Sequence, residues 1–579
     1  MKTWSIGEVA RLLDVKPHVL RYWETELPLL SPPKGLSGRR EYSGNEIRLL
    51  LRFRYLLYEK KFTVEGAKRR IWEELGANDP DIAARFAEVR TDLIEVLMTV
   101  RRGRGLDMAH DGEDMTDRDI RDKLDQRDRE RLFAHWDSRP EDMKARLRAD
   151  CAALDPLLVE ELRAHLADVD AEAGRAVERA VVEPAPYVPL STSGNDRDAR
   201  DDGEARIRSG HTAFLTVAGG QGSRLGYEGP KGMFPVTPIR HLTLFAWHAE
   251  KLLAARRRYG VNIPWLIMTG PQNHEATREY FDSESWFGLG PDTVHLFTQA
   301  SIPSLAADGG LLLAPDGGLF CNPNGHGGVI EALRRSGSLA SLRERGVRHL
   351  FYFQVDNPLV RVPDPLFLGY HCREASRIST KVIEKTHPEE KLGIIVTRAG
   401  IPQIIEYSDL DPELMNARDS AGRLVFAQGS PAMHILDVDF IMEDRVVLPW
   451  HIARKKVKAL NPTPAGTETV DRDAVKLEMF IFDAIPFADR SLFFETDRAE
   501  EFAPLKNREG LDSIDTCRRG QIERAARWLE RCGVEVPRGP EGTPLSAIEI
   551  SPLFALDPDV LAARRGILKD RIDEDTLLV

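Results

Sequence analysis

Short apolar runs alternate with amphipathic segments through the middle of the chain. Runs of mostly apolar residues bounded by glycine or polar residues are typical of buried strands. They occur at Phe214–Ala218, Trp265–Thr269, Val294–Thr298 and Leu350–Val355. The segments between them have helical spacing, which is the rhythm of a parallel sheet wound with helices. The pattern therefore predicts an α/β fold for residues 211–535.

The first 75 residues follow a helical pattern instead. Ser5 and Glu8 form an S-x-x-E capping box ahead of apolar residues at helical spacing, and Pro17 suits the first turn of a second helix. We therefore predict an N-terminal all-α helix-turn-helix domain over residues 1–75. The second helix leaves four polar side chains available for a DNA groove, namely Lys16, His18, Arg21 and Tyr22.

The remaining segments have weaker patterns. Residues 76–117 contain a candidate dimer helix, Asp81–Val100, followed by a linker rich in glycine and charge. The apolar face of that helix would equally suit packing on the body of the protein. Residues 118–210 are predicted to be helical up to 185, with a surface loop over 191–210. Residues 536–579 are predicted to form a small C-terminal segment.

Composition narrows the class of protein. The chain has 579 residues, of which 42% are hydrophobic and 30% charged, as in ordinary soluble proteins of several domains. It contains no apolar run near the ~20 residues of a membrane span, and its first residues lack the apolar core of a signal peptide. The five cysteines include no C-x-x-C pair. We expect a cytoplasmic protein without a membrane partner.

Charge is unevenly distributed along the chain. Residues 1–75 contain 15 Lys and Arg against 10 Asp and Glu, so they carry +5, and the rest carries −17 of the total of −12. A basic module attached to an acidic body suggests a polyanion partner for the module alone. A solvated basic helix face would give the same count.

The most informative stretch is a glycine-dense loop that follows the first apolar run. Its glycines, Gly219, Gly220 and Gly222, allow backbone amides to approach anionic oxygens. Arg224 and Lys231 follow and can neutralise phosphates. The loop therefore predicts a cradle for a nucleoside triphosphate.

Other interpretations of the loop are weaker. A dinucleotide-binding loop opens a helix, but glycines and Pro230 fall where that helix would run, and proline costs about 3 kcal/mol in a helix interior. A P-loop is excluded because the G-x-x-x-x-G-K-[ST] pattern does not occur here. A merely structural glycine turn remains the alternative.

Six motifs in order then resemble one family. The string Gly-Gly-Gln-Gly-Ser-Arg-Leu-Gly, followed by Pro-Lys-Gly, is similar to the signature of eukaryotic-type UDP-sugar pyrophosphorylases, above all the UDP-N-acetylhexosamine branch. The later motifs are Val355–Asn357, Val382–Thr386, Ile405–Ser408, Phe480–Asp483 and Phe502–Asn507. The resemblance covers residues 118–535 and implies a nucleotidyltransferase with a Rossmann-like mixed sheet wound with helices.

The resemblance also implies roles for individual residues. The expected reaction is attack of a sugar 1-phosphate on the α-phosphorus of UTP, with Arg224, Lys231 and Lys506 as the catalytic cations. Gly219, Gly220, Gly222 and Gln299 should bind the nucleotide. The expected sugar-binding residues are Gly325, His326, Gly393, Glu406, Ser430, Phe480 and Phe482.

Asp356 is the expected Mg²⁺ ligand. It ends the apolar run Leu350–Val355, and ligands bind at the carboxyl edge of open α/β sheets. Oxygen ligands together with phosphates suit Mg²⁺. On local sequence alone, a helix N-cap is an equally good interpretation of Asp356, and the family resemblance favours the metal.

Two departures from the family pattern bear on the sugar. His326 and Ser430 each replace an asparagine that could bind sugar hydroxyls or an N-acetyl group. The expected activity is therefore a uridylyltransferase, with N-acetylglucosamine 1-phosphate as the favoured sugar substrate. The alternative is a transcription regulator that uses a weak or inactive nucleotide-sugar domain as a ligand sensor.

The N-terminal region resembles a second family. The opening SIGEVARLLDVKPHVLRYWE and the following Pro-Pro-Lys-Gly segment are similar to MerR-type regulators over residues 3–75. The resemblance implies a wing that carries Arg39, Arg40 and Tyr42 against DNA phosphates. It also implies duplex DNA as a partner and a homodimer paired through the Asp81–Val100 helix.

Overall fold

A computed structural model describes residues 117–173, 182–193, 196–463 and 466–579, and part of residues 4–67. The chain divides into two compact units. The first consists mainly of residues 1–114, and the second of Met115–Met442 with Leu448–Val579.

In the second unit, eleven of the described strands form one mixed sheet. The order along its main path is Ile401–Ile405, Gly393–Arg398, Gln428–Ser430, Ile378–Glu384, His434–Asp437, His349–Gln354, Thr212–Val217, Trp265–Thr269 and Val294–Thr298. The last four are parallel to one another, whereas His434–Asp437 is antiparallel to both of its neighbours. Two more strands, Val182–Pro184 and Ser491–Glu495, pair beside this path. The predicted α/β class and mixed sheet are confirmed.

Smaller sheets and many helices surround the main sheet. The remaining strands are Ser301–Pro303, Leu305–Ala306, Cys321–Pro323, His451–Thr463, Gly466–Glu478, Ile548–Ile550 and Thr576–Leu578. The α-helices are Asp117–Lys123, Gln126–Leu132, Glu141–Ala153, Pro156–Ala173, Leu190–Ser193, Arg197–Arg208, Leu244–Tyr259, His274–Ser283, Val329–Arg335, Ser338–Glu344, Pro365–Arg373, Pro412–Met415, Val438–Ile441, Arg498–Glu501, Ile514–Arg531 and Pro558–Ala563. The buried face of the parallel strands forms the main core, which includes Phe214, Trp265, Ile267, Phe351 and Phe353.

The prediction of a surface loop over 191–210 is wrong for most of its length. Arg197–Arg208 is a helix capped by Asp196, whose carboxylate accepts the amide hydrogen of Ala199. Its buried face is made of Ala199, Gly203 and Ile207, which hydropathy alone does not mark. A Cβ on Gly203 would lie 1.8 Å from a backbone oxygen of the helix Pro365–Arg373. The helix therefore depends on close packing rather than on a large apolar stripe.

The C-terminal segment is built into the second unit. Ile548, Ile550, Phe554 and Leu561 share a core cluster with Trp528 of the helix Ile514–Arg531. The buried carboxylate of Glu549 also accepts hydrogen bonds from Arg240. Residues 536–579 thus contribute both apolar and ionic contacts to this unit.

In the first unit, the strand Trp4–Ser5 pairs with Glu41–Tyr42, and the helix Gly44–Tyr58 follows. Of the apolar residues predicted for the first two helices, Val9, Leu13, Leu20 and Trp23 are buried in one cluster, and Val19 is partly buried against it. Lys16 is exposed, as a DNA contact must be.

One predicted DNA contact is wrong. Tyr42 belongs to the buried cluster of this unit and has none of its surface exposed, so it cannot reach a phosphate. Its place at the end of a strand directs the ring into the core. His18, Arg21, Tyr22, Arg39, Arg40 and the Asp81–Val100 helix lie outside the described residues.

Two expectations from composition can be compared with the structure. All five cysteines are free thiols. Among the helices that the structure describes, none is long and apolar enough to cross a membrane.

Candidate active site

The glycine-dense loop starts where the strand Thr212–Val217 ends, at the carboxyl edge of the sheet. The loop is closed on itself, because Gly222 donates its amide hydrogen to Gly229 over 2.9 Å and Lys231 donates to Gly220 over 3.1 Å. A Cβ on Gly219 would lie 2.5 Å from Oε1 of Gln299, so a side chain there would displace the Gln299 amide. A Cβ on Gly220 would meet nothing within 4 Å, which leaves space for a ligand.

Asn273 holds this loop in place, and the sequence motifs did not identify it. It is 1% exposed. Its amide nitrogen donates to the carbonyls of Ala218 at 3.0 Å and Gly220 at 3.3 Å, while its oxygen accepts the amide hydrogen of Gly270 at 2.7 Å. One buried side chain thus fixes the strand end and the loop together.

Lys231 and Asp356 meet at the centre of the site. They follow two adjacent parallel strands, Thr212–Val217 and His349–Gln354, and Lys231 Nζ lies 3.1 Å from Asp356 Oδ2. Both side chains are mostly buried. The pair places one cation and one carboxylate where the sequence predicted phosphates and a metal.

Asp356 is not the helix cap that local sequence allowed. The next helix, Pro365–Arg373, is capped by Asp364. Asp356 instead fixes the segment that carries Lys506, since its carbonyl accepts the amide hydrogen of Leu505 at 2.9 Å. The adjacent Asn357 donates to the carbonyl of Glu501 at 2.7 Å.

Sequence reasoning missed two polar residues that follow Lys506 in the chain, Asp512 and Arg508. Its Nζ lies 3.9 Å from Oδ2 of Asp512. Burial and the nearby Asp356 carboxylate raise the pKa of Asp512, whereas Lys506 opposes that shift. The guanidinium of Arg508 lies 3.6 Å from the position of a Cβ on Gly226, so Arg508 faces the glycine-dense loop. No sequence motif identifies Asp512 or Arg508, and only their tertiary contacts place them at the site.

Arg224, in the same loop, is exposed. It makes no hydrogen bond or ion pair with any residue that the structure describes, and its charge acts on Tyr407. The side chain is therefore available to a ligand.

Gln299, which the resemblance assigns to nucleotide binding, lies against Gly219 of the glycine-dense loop. It is 5% exposed, and its amide nitrogen lies 3.3 Å from Oδ1 of Asn324 and 3.4 Å from the carbonyl of Gly325. Its oxygen faces Gly219, as the contact above shows. The glutamine thus joins the predicted nucleotide and sugar regions.

Aromatic rings form one wall of the predicted sugar pocket. His326 stacks on Phe480 with ring centroids 5.3 Å apart, and Phe482 lies 5.9 Å from His326. Nδ1 of His326 accepts the amide hydrogen of Ile481 at 3.2 Å. Burial lowers the pKa of His326 to about 4, so the ring is neutral and carries its proton on Nε2.

Glu406, Gly393 and Ser430 form a second wall. A Cβ on Gly393 would lie 3.2 Å from Oε2 of Glu406, and Gly393 pairs with Ser430 across neighbouring strands. Burial and then the charge of Asp409 raise the pKa of Glu406 to about 7.

His451 joins this region, although no motif predicted it. Its ring nitrogens lie 2.8 Å from Asp483 and 3.4 Å from Asp409, and it packs 4.5 Å from the ring of Phe480. Burial disfavours the imidazolium, but the two carboxylates outweigh burial and raise the pKa of His451 to about 9. A cation therefore lies behind the aromatic wall at neutral pH.

The arrangement brings the cations predicted to bind phosphate and a cluster of polar and aromatic side chains to one edge of the sheet. The family model described as UTP–glucose-1-phosphate uridylyltransferase matches residues 171–515. The chain belongs to that family. It is a UTP:sugar-1-phosphate uridylyltransferase, as the motifs predicted. A second model, MerR HTH family regulatory protein, matches residues 4–73 of this uridylyltransferase.

Individual relatives are similar over most of the chain. UDP-N-acetylglucosamine diphosphorylase 1 of Arabidopsis thaliana is 33% identical over 75% of this chain and 88% of its own length. UDP-N-acetylhexosamine pyrophosphorylase-like protein 1 of Homo sapiens is 32% identical, covering 76% and 93%. The crystal structure of the Trypanosoma brucei UDP-N-acetylglucosamine pyrophosphorylase, with 23% identity, has the same fold at a TM-score of 0.64 and covers 80% of this chain and 98% of its own.

Proposed function

We propose that this uridylyltransferase forms UDP-N-acetylglucosamine and pyrophosphate from UTP and N-acetylglucosamine 1-phosphate. The observation that carries the proposal is the convergence of Lys231, Asp356 and Lys506 beside the pocket of His326 and Phe480. The names of the relatives support the choice of sugar.

The reaction requires no protein nucleophile. An oxygen of the sugar 1-phosphate attacks the α-phosphorus of UTP, the bond to the β-phosphate oxygen breaks, and pyrophosphate leaves. Lys506 would hold the incoming phosphate, and Lys231, Arg224 and the loop amides would hold the triphosphate. Catalysis then rests on positioning and on cations placed where negative charge spreads in the transition state.

We further propose Mg²⁺ as the cofactor. Among the described residues, no group of three or more His, Cys, Asp or Glu side chains could hold a metal ion by itself. Mg²⁺ is commonly held by one or two carboxylates together with substrate phosphates and water, which fits Asp356 facing a phosphate loop. When bound, the ion would neutralise charge on the phosphates.

The sugar substrate can be tested directly. Purified protein is incubated with UTP, Mg²⁺ and each of several sugar 1-phosphates while pyrophosphate release is followed. We expect the highest kcat/KM with N-acetylglucosamine 1-phosphate. Absence of turnover with every hexose and N-acetylhexosamine phosphate would instead favour the second candidate, a MerR-type regulator with a ligand-sensing domain.

The two departures from the family pattern give a matched test. His326→Asn with Ser430→Asn restores the amides of the family, and one added hydrogen bond is worth about tenfold in discrimination. We expect the preference for N-acetylglucosamine 1-phosphate over glucose 1-phosphate to rise by about that factor. An unchanged ratio would show that neither position contacts the N-acetyl group.

Sugar binding should depend on the ionisation of Glu406. Because its pKa is about 7, the carboxylate that accepts hydrogen bonds from sugar hydroxyls predominates only above that pH. KM for the sugar 1-phosphate should therefore fall as pH rises through 7, and rise again as His451 loses its proton near pH 9.

Glu406→Gln is the control for that pH profile. It should remove the inflection near pH 7 that belongs to Glu406. The titration of the substrate phosphate, whose pKa is about 6, and that of His451 near pH 9 should remain. The same lower inflection in the wild type and in Glu406→Gln would contradict the assignment.

For the N-terminal domain, we propose binding to duplex DNA. The match to MerR regulators and the net charge of residues 1–75 support this proposal. Affinity should fall steeply with salt through counterion release. In the full chain, Arg39→Ala with Arg40→Ala should flatten the slope of log K against log salt by about 1 to 2. Binding that is undetectable, or that does not depend on salt, would point to a protein-docking domain.

A further inference from the structure

A cavity lies behind the segment that carries Asp356. The helices Leu244–Tyr259 and Ile514–Arg531, residues 360–363 and the C-terminal residues 550–556 line about 440 Å³ of empty space, part of it continuous with solvent. A neighbouring cavity of about 280 Å³ shares several of its lining residues. Neither cavity contains a residue predicted to bind UTP or the sugar.

Three basic side chains line the larger cavity. Lys251 is 4% exposed and donates to the carbonyls of Pro358 at 2.7 Å and Val360 at 2.8 Å. Arg524 donates through one nitrogen to the carbonyl of Leu359 at 2.9 Å. The guanidinium of Arg361 makes no hydrogen bond or ion pair with any residue in the described part of the chain.

The carboxylates around the cavity already have donors. Glu500 accepts from Arg527 at 2.9 Å and from the indole of Trp528 at 2.6 Å, using both oxygens. Glu501 is held by Lys381 through both oxygens, at 2.8 and 2.6 Å. The charges of Glu501, Asp364, Glu500 and Asp557 all act on Arg361. Asp364 is paired with Lys381 and Asp557 with Arg258, so all four carboxylates already have cationic or hydrogen-bond partners.

The cavity therefore presents unused N–H groups and few free acceptors. A ligand that only accepts hydrogen bonds and carries negative charge satisfies such a surface best, and guanidinium groups suit the oxygens of phosphate. We propose that this cavity is a binding site for a phosphate group, either as the free ion or as part of a small ester.

Occupancy of this site would act on the catalytic segment. Lys251 and Arg524 hold the carbonyls of residues 358–360, a few positions after Asp356. His248 lies 3.0 Å from the carbonyl of Val355 on the other side of Asp356. Burial, and then the charge of Arg524, lower the pKa of Lys251 well below its ordinary value. Phosphate beside Lys251 opposes that shift and strengthens its hold on the segment.

The test uses saturating UTP and Mg²⁺, which fill the triphosphate site, and the full chain both as wild type and with Lys506→Ala, which removes the cation assigned to the incoming phosphate. Binding of inorganic phosphate is measured by calorimetry, and glycerol 3-phosphate is the second probe. We expect phosphate to bind Lys506→Ala with a stoichiometry of one. Binding of both probes indicates an ester site, and binding of phosphate alone indicates a site for the ion.

Variants locate the binding. Arg361→Gln should weaken phosphate binding by about 10- to 100-fold, the usual value of charge-assisted hydrogen bonds. Ala555→Leu fills the same cavity without removing a charge and should also abolish binding, which covers the case that Arg361→Gln does not fold. Arg257→Gln, an exposed arginine on the helix that carries Lys251, is the matched control. Failure of phosphate to bind the wild type, or equal binding by Ala555→Leu, would overturn the proposal.

Discussion

Lys231→Ala and Lys506→Ala should each lower kcat by about 10²- to 10³-fold, the usual effect of removing one preorganised contact to developing charge. Lys231 lies 3.1 Å from Asp356, and Lys506 follows Leu505, whose amide hydrogen bonds to the Asp356 carbonyl. The two cations thus reach the reacting phosphates from different segments. Pyrophosphate release with N-acetylglucosamine 1-phosphate gives the rates.

Lys391→Ala is the control for these variants, because Lys391 is exposed and has no predicted role. It should retain wild-type kinetics. The effect at Lys506 should appear mainly in kcat and in KM for the sugar 1-phosphate, because Lys506 is assigned to the incoming phosphate. If Lys506→Ala lost only affinity for UTP, Lys506 would bind the nucleotide rather than the incoming phosphate.

Asp356→Ala should both slow turnover and weaken the dependence on Mg²⁺. Asp356 follows the strand His349–Gln354, and its carboxylate lies beside Lys231 of the glycine-dense loop. Because this carboxylate is the proposed protein ligand of Mg²⁺, its removal should weaken binding of the ion. The activation curve should shift to higher Mg²⁺ concentrations, and kcat should fall by at least the same 10²-fold.

Asp512→Asn is the control that distinguishes binding of Mg²⁺ by Asp356 from a general effect of removing a negative charge near the site. Asp512 lies near Asp356 and Lys506 but carries no predicted role. An unchanged Mg²⁺ activation curve in Asp512→Asn, with a shifted one in Asp356→Ala, would assign the ion to Asp356. Near-normal kinetics and Mg²⁺ response in Asp356→Ala would show that the metal is bound elsewhere.

The sequence alone determined the elements whose signals are local. Apolar runs predicted the central strands to within one or two residues, as Thr212–Val217 and Trp265–Thr269 show. The glycine-dense loop could also be located from the sequence, since its glycines lie close together directly after a strand. The six motifs and their order identified the family, because the side chains that the reaction needs lie within those motifs.

Local signals failed where burial comes from other segments. The helix Arg197–Arg208 lacked a large apolar stripe because Ala199 and Gly203 pack directly against a neighbouring backbone. Tyr42 has the sequence of a wing residue, yet its ring lies in the core. Hydropathy reports how apolar each side chain is. It does not report which distant segment of the chain the side chain packs against, so it cannot predict these contacts.

Tertiary structure alone decided which polar groups act together. Asn273 fixes the phosphate loop from 53 residues away from Gly220, and His451 becomes a cation only because Asp409 and Asp483 converge on it. The three basic side chains of the larger cavity, Lys251, Arg361 and Arg524, likewise come from separate segments. Their properties depend on distance and burial, which the chain order does not contain. The sequence therefore specified the chemistry of the reaction, and the fold set the pKa values and brought together the side chains that line the larger cavity.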